Sequence, residues 1–508
     1  MNVGLNLLGP STLGHWRPKL AVRNDTMGRT GFVEEFQLSS EEDQDEAARV
    51  KGLVEENRLE VIRLSYPDQH GILRGKTVMA SEIEQALRNG CAITTTLLAK
   101  DTSHKTVFPV FSPGGGFGIP EMENAGDFVA VPLPSTFRIL PWAPNTGWML
   151  CDGYLANGEP VPFSTRQLLK KTLSALVDRG FDYVAGIEVE CHIYHLDDAM
   201  LQPEDAGQPA TAPKVSLINR GYNYLTELRM DEQDPVFEIL RRGLLAIGLP
   251  LRTLETEFGP SQFEFTLGPT SGLEAADNMI LFRNALKQIC RRNGFHATFM
   301  CRPGLSNTFA SGWHLHQSLE NKSDGANAFA PTSTDNLLSP TGLSFVAGIL
   351  KNAPGAAVFT TPTINGYKRY QPNSLAPDRV VWGRDNKGAM LRIIGAGPND
   401  SATRIENRVG EPAANPYLYL ASQVASGLDG LRNDLVPPPA TDDPYAANAE
   451  QLPTNLMDAV IALDKNKTFR AAFGDQFIDY LLHIKRAEIE RFLSTVTDWE
   501  HREYFELF

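Results

Sequence analysis

Two segments of the chain carry paired carboxylates among residues that favour β-strands. In GIEVECHIYHL, Glu188 and Glu190 share one face of the predicted strand, because side chains alternate between faces. In LETEFGPSQFEF, a hairpin with a two-residue loop at positions 260–261 would set Glu257 directly opposite Glu264. Opposed like charges destabilise a sheet, and buried carboxylates are costly unless cations neutralise them. The sequence therefore predicts a cation site.

Two further strand-like segments place metal-binding and cationic groups on shared faces. His314 and His316 alternate in SGWHLHQSL, and Arg404, Glu406 and Arg408 alternate in TRIENRVG. Each pattern alone is more typical of a solvated face, structural histidines or a salt-bridge ladder, but their coincidence in one chain favours a site. Carboxylates with imidazoles suit Mg²⁺ or Mn²⁺, and arginine forks bind phosphate and carboxylate. Together these groups predict phosphoryl transfer, and the lack of a GxxxxGK[ST] motif excludes a P-loop enzyme.

The overall composition narrows the setting of such a site. The 508 residues are 42% hydrophobic, which suits one large domain or two to three smaller ones. A formal net charge of −14 argues against a nucleic-acid partner. We find no apolar run of membrane-spanning length and no secretory signal, so no membrane partner is expected. The five cysteines are scattered and form no CxxC pair, which indicates a reducing compartment and a cytoplasmic protein.

The elements that must hold these residues follow from the hydrophobic periodicity. An N-terminal arm is expected over residues 1–45, ending in a helix start capped by Ser39 or Ser40. A strand–turn–strand is predicted over residues 61–80, with its turn from Asp68 to Gly71. Helical and strand-like segments alternate from residue 152 onward, with amphipathic helices within 164–180, 235–250 and 271–294. This organisation predicts one domain over 46–151 and a second over 152–508.

The order of these motifs resembles the glutamine synthetase family. The chain has EVE at 188–190, EFGPSQFE at 257–264, SGWHLHQS at 311–318, NGYKR at 365–369, RIENR at 404–408 and NPYL at 415–418. The resemblance runs from about residue 60 to the C-terminus. It implies an α+β fold, in which an N-terminal β-grasp domain packs against a large catalytic domain with a curved antiparallel sheet flanked by helices. It also implies active sites between neighbouring subunits of stacked rings, with a dodecamer as the expected assembly.

The resemblance also assigns roles to individual residues. Two or three Mg²⁺ or Mn²⁺ ions are implied, the first held by Glu190, Glu257 and Glu264, the second by Glu188, His314 and Glu406. ATP would contact His316, Ser318, Arg392 and Arg404, and L-glutamate would contact Arg369, Arg408 and Ala310. The catalytic residues would be Arg369, Arg392 and Glu257. In the implied reaction, ATP phosphorylates the γ-carboxylate of glutamate, and a nitrogen nucleophile then displaces phosphate.

Several positions depart from the family members that use ammonia. Their ammonium-binding Asp is replaced by threonine within the run 94–96, and their mobile Glu is replaced by Leu375. An active-site Arg is replaced by Lys387, and their NGSG motif reads FASG at 309–312. An ammonium ion needs negative groups around it, so these departures favour an acceptor other than ammonia.

The same departures favour an aromatic or apolar amine. An arylamine is neutral at pH 7 and needs no acid to hold a cation or to remove a proton, whereas an alkylamine is protonated. The expected function is that of a γ-glutamylanilide synthetase-like enzyme in amine catabolism, with an acceptor pocket formed by Thr95, Phe309, Trp313 and Leu375. Three alternatives stay open. They are a polyamine or alkylamine ligase, with Asp101 or an acid of the loop 114–124 restoring a cation site, a true glutamine synthetase, and a non-catalytic assembly protein.

Overall fold

The N-terminal part of the described chain forms a six-stranded sheet. The computed structural model describes residues 30–198, 200–371, 375–395, 397–445 and 448–508, so residues 1–29 of the expected arm lie outside the described residues. The strands are β1 Val61–Pro67, β2 Leu73–Met79, β3 Cys91–Thr94, β4 Asp127–Pro132, β5 Arg138–Ile139 and β6 Thr146–Tyr154. Their order is β2-β1-β6-β4-β3, and β5 pairs with β6.

A second sheet of nine strands carries the predicted site residues. Its strands are β7 Phe181–Leu196, β8 Val215–Ser216, β9 Leu251–Thr256, β10 Gln262–Ser271, β11 Phe295–Thr298, β12 Trp313–Asn321, β13 Trp382–Arg384, β14 Leu391–Ile394 and β15 Arg404–Gly410. The order is β13-β14-β15-β12-β7-β10-β9, and β8 and β11 also pair with β7. The neighbouring strands are antiparallel except for the edge pair β13 and β14, which is parallel.

Helices cover the core-facing sides of the sheets. They are α1 Phe32–Glu35, α2 Glu41–Glu56, α3 Ile83–Asn89, α4 Thr165–Val177, α5 Glu227–Ala246, α6 Gly272–Arg292, α7 Pro340–Thr360, α8 Pro416–Arg432, α9 Leu456–Asp464, α10 Lys467–Phe473, α11 Asp475–Leu493 and α12 Asp498–Tyr504. Ser40 caps α2, as the sequence predicts, because its hydroxyl accepts the N–H of Asp43. The described end of the expected arm is therefore partly helical.

The alternation of β7 sets the two faces of the second sheet. Ile187, Val189 and Cys191 are at most 2% exposed and pack into the core. Glu188 and Glu190, which alternate with them, lie on the opposite face, where the predicted site residues gather.

The turn between β1 and β2 forms where the sequence predicts it. Asp68 Oδ1 accepts the N–H groups of His70 and Ile72, both at 2.9 Å. Gly71 has a φ of 70°, a left-handed conformation that favours glycine. Arg283 of α6 donates to the Gly71 carbonyl at 2.7 Å, which ties the first sheet to the elements behind the second.

The hairpin of β9 and β10 differs from its predicted register. Glu264 pairs with Glu255 rather than with Glu257, so the loop has four residues, 258–261, and not two. Ser261 reaches a φ of 58° inside this loop, and its N–H donates to the side chain of Asn219. The shift is by two positions, so Glu255, Glu257 and Glu264 all stay on the face predicted for them.

The helix α7 is long enough and apolar enough to cross a membrane, by its length and composition alone. The most hydropathic window within Pro340–Thr360 has a mean hydropathy of 1.2, and 78% of that window is buried inside the protein. Such burial is typical of a core helix, and α7 packs against α8 and α9.

Candidate active site

Three carboxylates lie side by side across neighbouring strands. Glu190 on β7 pairs with Glu264 on β10, which pairs in turn with Glu255 on β9. Glu190 and Glu264 are only 8% and 6% exposed, so water screens their repulsion poorly. Within the described ranges neither of the two forms an ion pair with a lysine or an arginine. The Gln262 amide donates to Glu190 at 2.9 Å, but this donor is neutral and does not balance the charge of the carboxylate.

The protonation of this acidic group reflects its crowding. Burial raises the pKa of Glu264 to about 10, and the charges of Glu188 and Glu190 add to the rise. Burial and the neighbouring Glu257 raise the pKa of Glu190 to about 8. The pKa of Glu257, whose carboxylate contacts that of Glu264, is also raised, chiefly by burial. The acids therefore resist ionisation together unless a cation joins them.

Glu188 has the opposite environment, because it lies between two imidazoles. Its Oε1 is 2.6 Å from His314 Nδ1, and its Oε2 is 3.0 Å from His316 Nε2. Burial opposes the charge of Glu188, but the two imidazoles outweigh it and lower the pKa. Burial and the nearby Arg408 lower the pKa of His314 to about 4. At neutral pH His314 is therefore uncharged and donates its Nδ1–H to Glu188.

Glu406 on β15 is neutralised by arginines. Its side chain is fully buried and forms ion pairs with Arg408 and, at 3.0 Å, with Arg392. His314 Nδ1 lies 3.7 Å from the same carboxylate. Burial raises the cost of this charge, but His314 and Arg408 outweigh it and lower the pKa of Glu406. Arg392 also pairs with Asp385, whose side chain is 72% exposed.

Two groups of side chains could each hold a metal ion. Glu188, His314 and Glu406 offer ligand atoms that lie within 4.8 Å of one another, and they are the three residues predicted for the second ion. Glu190, Glu264 and His314 form the other group, in which His314 stands where the prediction has Glu257. Oxygen and imidazole donors fit Mg²⁺ or Mn²⁺, and either ion would neutralise the crowded carboxylates of Glu190 and Glu264.

The short 3₁₀ turn Gly366–Arg369, which follows α7, brings Arg369 to the same place. Arg369 is 6% exposed, donates to the carbonyls of Arg408 and Gly410 at 3.1 Å each, and lies 3.4 Å from His314 Nε2. Gly312 leaves room for it, since a Cβ at that position would lie 2.5 Å from Arg369 Nη2. The predicted Ala310 is adjacent, and its carbonyl accepts from the Gln262 amide.

The residues predicted for ATP lie along β12, β14 and β15. His316 pairs in register with Glu406, which pairs with Arg392. Arg404 donates its Nε–H to His316 Nδ1 at 3.2 Å. Ser318 follows His316 by two positions and so shares its face of β12. Cationic groups therefore border the carboxylates on the β14–β15 side.

The residues predicted to line the acceptor pocket do not all lie together in the structure. Trp313 is fully buried and packs against Tyr419, because it alternates with His314 and so faces the core, and the prediction that it lines a pocket is wrong. Thr95 directly follows β3 of the first sheet, and its hydroxyl donates to the Gly126 carbonyl. Leu375 is 60% exposed.

Phe309 is the one predicted acceptor residue that joins an aromatic group beside the acids. Its ring centroid lies 5.1 Å from that of Phe258, the neighbour of Glu257, and 6.5 Å from that of Tyr222. Phe258 and Tyr222 remain 42% and 45% exposed. Tyr224 also faces the carboxylates, since burial and Glu257 raise its pKa to about 12.

Sequence reasoning missed Tyr222, Tyr224 and Phe258. The two tyrosines lie in a segment without periodicity, and only their proximity after folding reveals them. Gln262 was missed as well, although its place inside EFGPSQFE was a signal.

Comparisons with known proteins agree with this geometry. Residues 162–504 match the family described as glutamine synthetase, catalytic domain. The chain is 44% identical over 495 residues to a γ-glutamylanilide synthase of Acinetobacter sp, covering 94% of this chain and 99% of that one. It is 32% identical to a type-1 glutamine synthetase of Dictyostelium discoideum, covering 88% and 84%. A solved structure described as a GmaS/ADP complex is similar with a TM-score of 0.75 at 26% identity, covering 90% of this chain and 99% of that chain.

Proposed function

Because the chain belongs to the glutamine synthetase family, we propose that it is a cytoplasmic ligase that joins the γ-carboxylate of L-glutamate to an aromatic or apolar amine. ATP would drive the reaction through γ-glutamyl phosphate. Ligases of this family use ATP and divalent metal ions, and the solved relative was described with ADP. The observation that carries the proposal is the buried acidic group of β7 and β10, bordered on one side by histidines and arginines.

Mg²⁺ or Mn²⁺ would be held by the acids and by His314. The first ion would be held by Glu190, Glu257 and Glu264, as the family resemblance implies, and the second by Glu188, His314 and Glu406, since a neutral imidazole offers one lone pair and can bind only one of the two ions. When bound, such ions neutralise the charge of the transferred phosphoryl group. The remaining steps depend on the chain's own residues.

The arginines would position the two anionic substrates. Arg392 and Arg404 lie on the β14–β15 side, where they could donate to phosphate oxygens of ATP. Arg369 and Arg408 are buried beside Glu406 and His314, and their guanidinium groups suit the carboxylates of glutamate. Arg369 and Arg392 would thereby help align the γ-carboxylate with the phosphoryl group.

The acceptor would bind against Phe309, Phe258 and Tyr222. Their partly exposed rings offer apolar surface beside Glu257, and a neutral arylamine could stack there without a counter-charge. The 44% identity to a γ-glutamylanilide synthase supports the same choice. Thr95 and Leu375 remain proposed contacts, with Thr95 reaching the site of a neighbouring subunit.

We also propose that the chain assembles into rings, with a dodecamer as the expected form. Large apolar side chains near the C-terminus, including Trp499, Phe505 and Phe508, are 57–94% exposed, and a second copy could cover them. Light scattering should then give a mass near twelve chains of 56.0 kDa. A monomeric mass at micromolar concentration would reject the assembly.

The acceptor is tested by measuring glutamate-dependent phosphate release from ATP with aniline, ethylamine, putrescine and ammonia supplied separately. The largest kcat/KM is expected with aniline. Fastest turnover with ammonia would identify a true glutamine synthetase, and putrescine far ahead of aniline would reject the aromatic preference. No turnover with any amine would support the non-catalytic alternative.

The aromatic group is tested by Phe309→Ala. We expect the ratio of kcat/KM for aniline over ethylamine to fall about 10-fold, because stacking surface is lost for the ring and little is lost for the short alkyl chain. Phe36→Ala is the matched control, since Phe36 packs against Phe32 at 4.9 Å in the N-terminal part and should leave the ratio unchanged. An unchanged ratio in Phe309→Ala would place the acceptor elsewhere.

A further inference from the structure

A cavity of about 720 Å³ lies outside the carboxylate site. Its walls come from the β1–β2 turn, from α6 and β11, and from the end of α7. Apolar side chains supply much of the lining, among them Ile72, Phe299, Val358, Leu418 and Leu481. A volume of this size is typical of a pocket for a small organic ligand.

The polar part of the lining has one sign of charge. Arg283, Lys287, Arg291 and Lys485 all line the cavity, and the described lining residues include no aspartate or glutamate. Two of these cations have partners within the protein. Arg283 donates to three backbone carbonyls, and Lys485 pairs with Glu488 at 3.0 Å.

The side chains of the other two cations, Lys287 and Arg291, have no hydrogen bond or ion pair within the described part of the chain. They lie four positions apart on α6 and so project from the same side of the helix. The Lys287 side chain is accessible to water, but the protein around it disfavours its charge, and burial together with Arg283 lowers its pKa. A nearby anion would stabilise such an ammonium group.

We propose that this cavity is a binding site for a small carboxylate with an apolar body, whose carboxylate is held by Lys287 and Arg291. The apolar walls take the body of the ligand, and the α6 cations take its charged end. A simple phosphate gains nothing from the apolar walls, and an amine is repelled by four cations. The site is therefore separate in chemistry from the acceptor site beside Glu257, and it does not depend on the proposed ligase activity.

The site is tested with 2-naphthoate and its neutral isostere 2-naphthamide. Calorimetric titration of the full-length protein, with Mg²⁺, ADP, glutamate and aniline saturating, measures binding outside the active site. We expect 2-naphthoate to bind at least about 10-fold more tightly than 2-naphthamide, since only the acid can pair with Lys287. Equal affinities, or no binding of the acid, would overturn the proposal.

Variants locate the binding. Lys287→Met should weaken 2-naphthoate about 10-fold while retaining the melting temperature of the parent protein. Lys171→Met is the matched control, because Lys171 is an exposed lysine on a different helix, α4, and does not line the cavity. Unchanged affinity in Lys287→Met would contradict the assignment.

A second variant guards against misfolding of the first. Asn284→Phe places a ring in the cavity one turn from Lys287, at a half-buried position whose side chain has no hydrogen bond in the described chain. It should abolish 2-naphthoate binding by filling the space. Retained binding in Asn284→Phe would show that the ligand sits elsewhere and would reject the site.

Discussion

The two halves of the candidate site each contain two glutamates, but the negative charges of the two pairs are neutralised differently. In one half, Glu188 and Glu406 are held by imidazoles and guanidinium groups, and the pKa of each is lowered. In the other half, Glu190 and Glu264 face each other without an ion pair to a lysine or arginine of the described chain, and the pKa of each is raised. Both halves are carried by adjacent strands of one sheet and share His314.

The difference shows which pair of carboxylates is neutralised by side chains of the protein and which pair requires a metal ion. A buried acid with fixed cations is already stable as an anion, and it can serve as a rigid frame. A group of buried acids without cations is tolerable as anions only when an ion from solution joins them. The Glu190–Glu264 half is therefore the part of the site that depends on metal, and the Glu188–Glu406 half is the part that shapes it.

The largest expected effect is on turnover, from Glu264→Gln. Loss of a direct metal ligand should lower kcat by at least about 100-fold, because even residues that only orient ligands contribute 10–100-fold. Steady-state phosphate release measures it. Glu255→Gln is the control, since Glu255 accepts from the Thr253 hydroxyl at 2.8 Å and lies outside both metal groups. Equal losses in the two variants would remove the distinction between these acids.

The next effect is on stability, from Glu406→Gln. Removing this buried charge leaves Arg392 and Arg408 without their shared partner, so the free energy of unfolding should fall by about 3–5 kcal/mol. Denaturant unfolding in EDTA measures it. Unfolding at the parent's midpoint would show that the arginines are balanced by other groups.

The smallest effect is expected from Asp385→Asn. Arg392 also pairs with this aspartate, but the Asp385 side chain is 72% exposed, and solvent weakens such a pair. The unfolding midpoint in EDTA should match that of the parent protein within the error of the measurement. A loss comparable to that of Glu406→Gln would mean that burial does not decide which partner of Arg392 matters.

The sequence predicted the faces of the second sheet better than its register. Strict alternation placed Glu188 and Glu190 on one face and Ile187 and Val189 on the other, and the fold agrees. The same rule, applied to SGWHLHQSL, would have excluded Trp313 from the pocket. The register of the β9–β10 hairpin was wrong, because the four-residue loop is held by Asn219, a contact that the local sequence does not reveal.

The charge balance of the site was not predictable from the motifs. EVE and EFGPSQFE look alike as acidic pairs, but only the strand order shows that Glu188 meets two histidines while Glu190 meets Glu264. The cavity beside α6 was also invisible, because Lys287 lies on an amphipathic helix where a lysine normally indicates a solvated face. Its setting depends on the β1–β2 turn, more than 200 positions away.

The central claim is that Glu190 and Glu264 are both ionised only when a metal ion binds them. The most direct test compares the melting temperatures of the parent protein and Glu264→Gln, each in EDTA and in Mn²⁺. The account predicts that at pH 7 Glu264→Gln melts above the parent in EDTA, because the variant no longer has to take up a proton at this position when it folds, and that it loses most of the stabilisation by Mn²⁺. A variant that melts below the parent in EDTA and is stabilised by Mn²⁺ as strongly as the parent would contradict the claim.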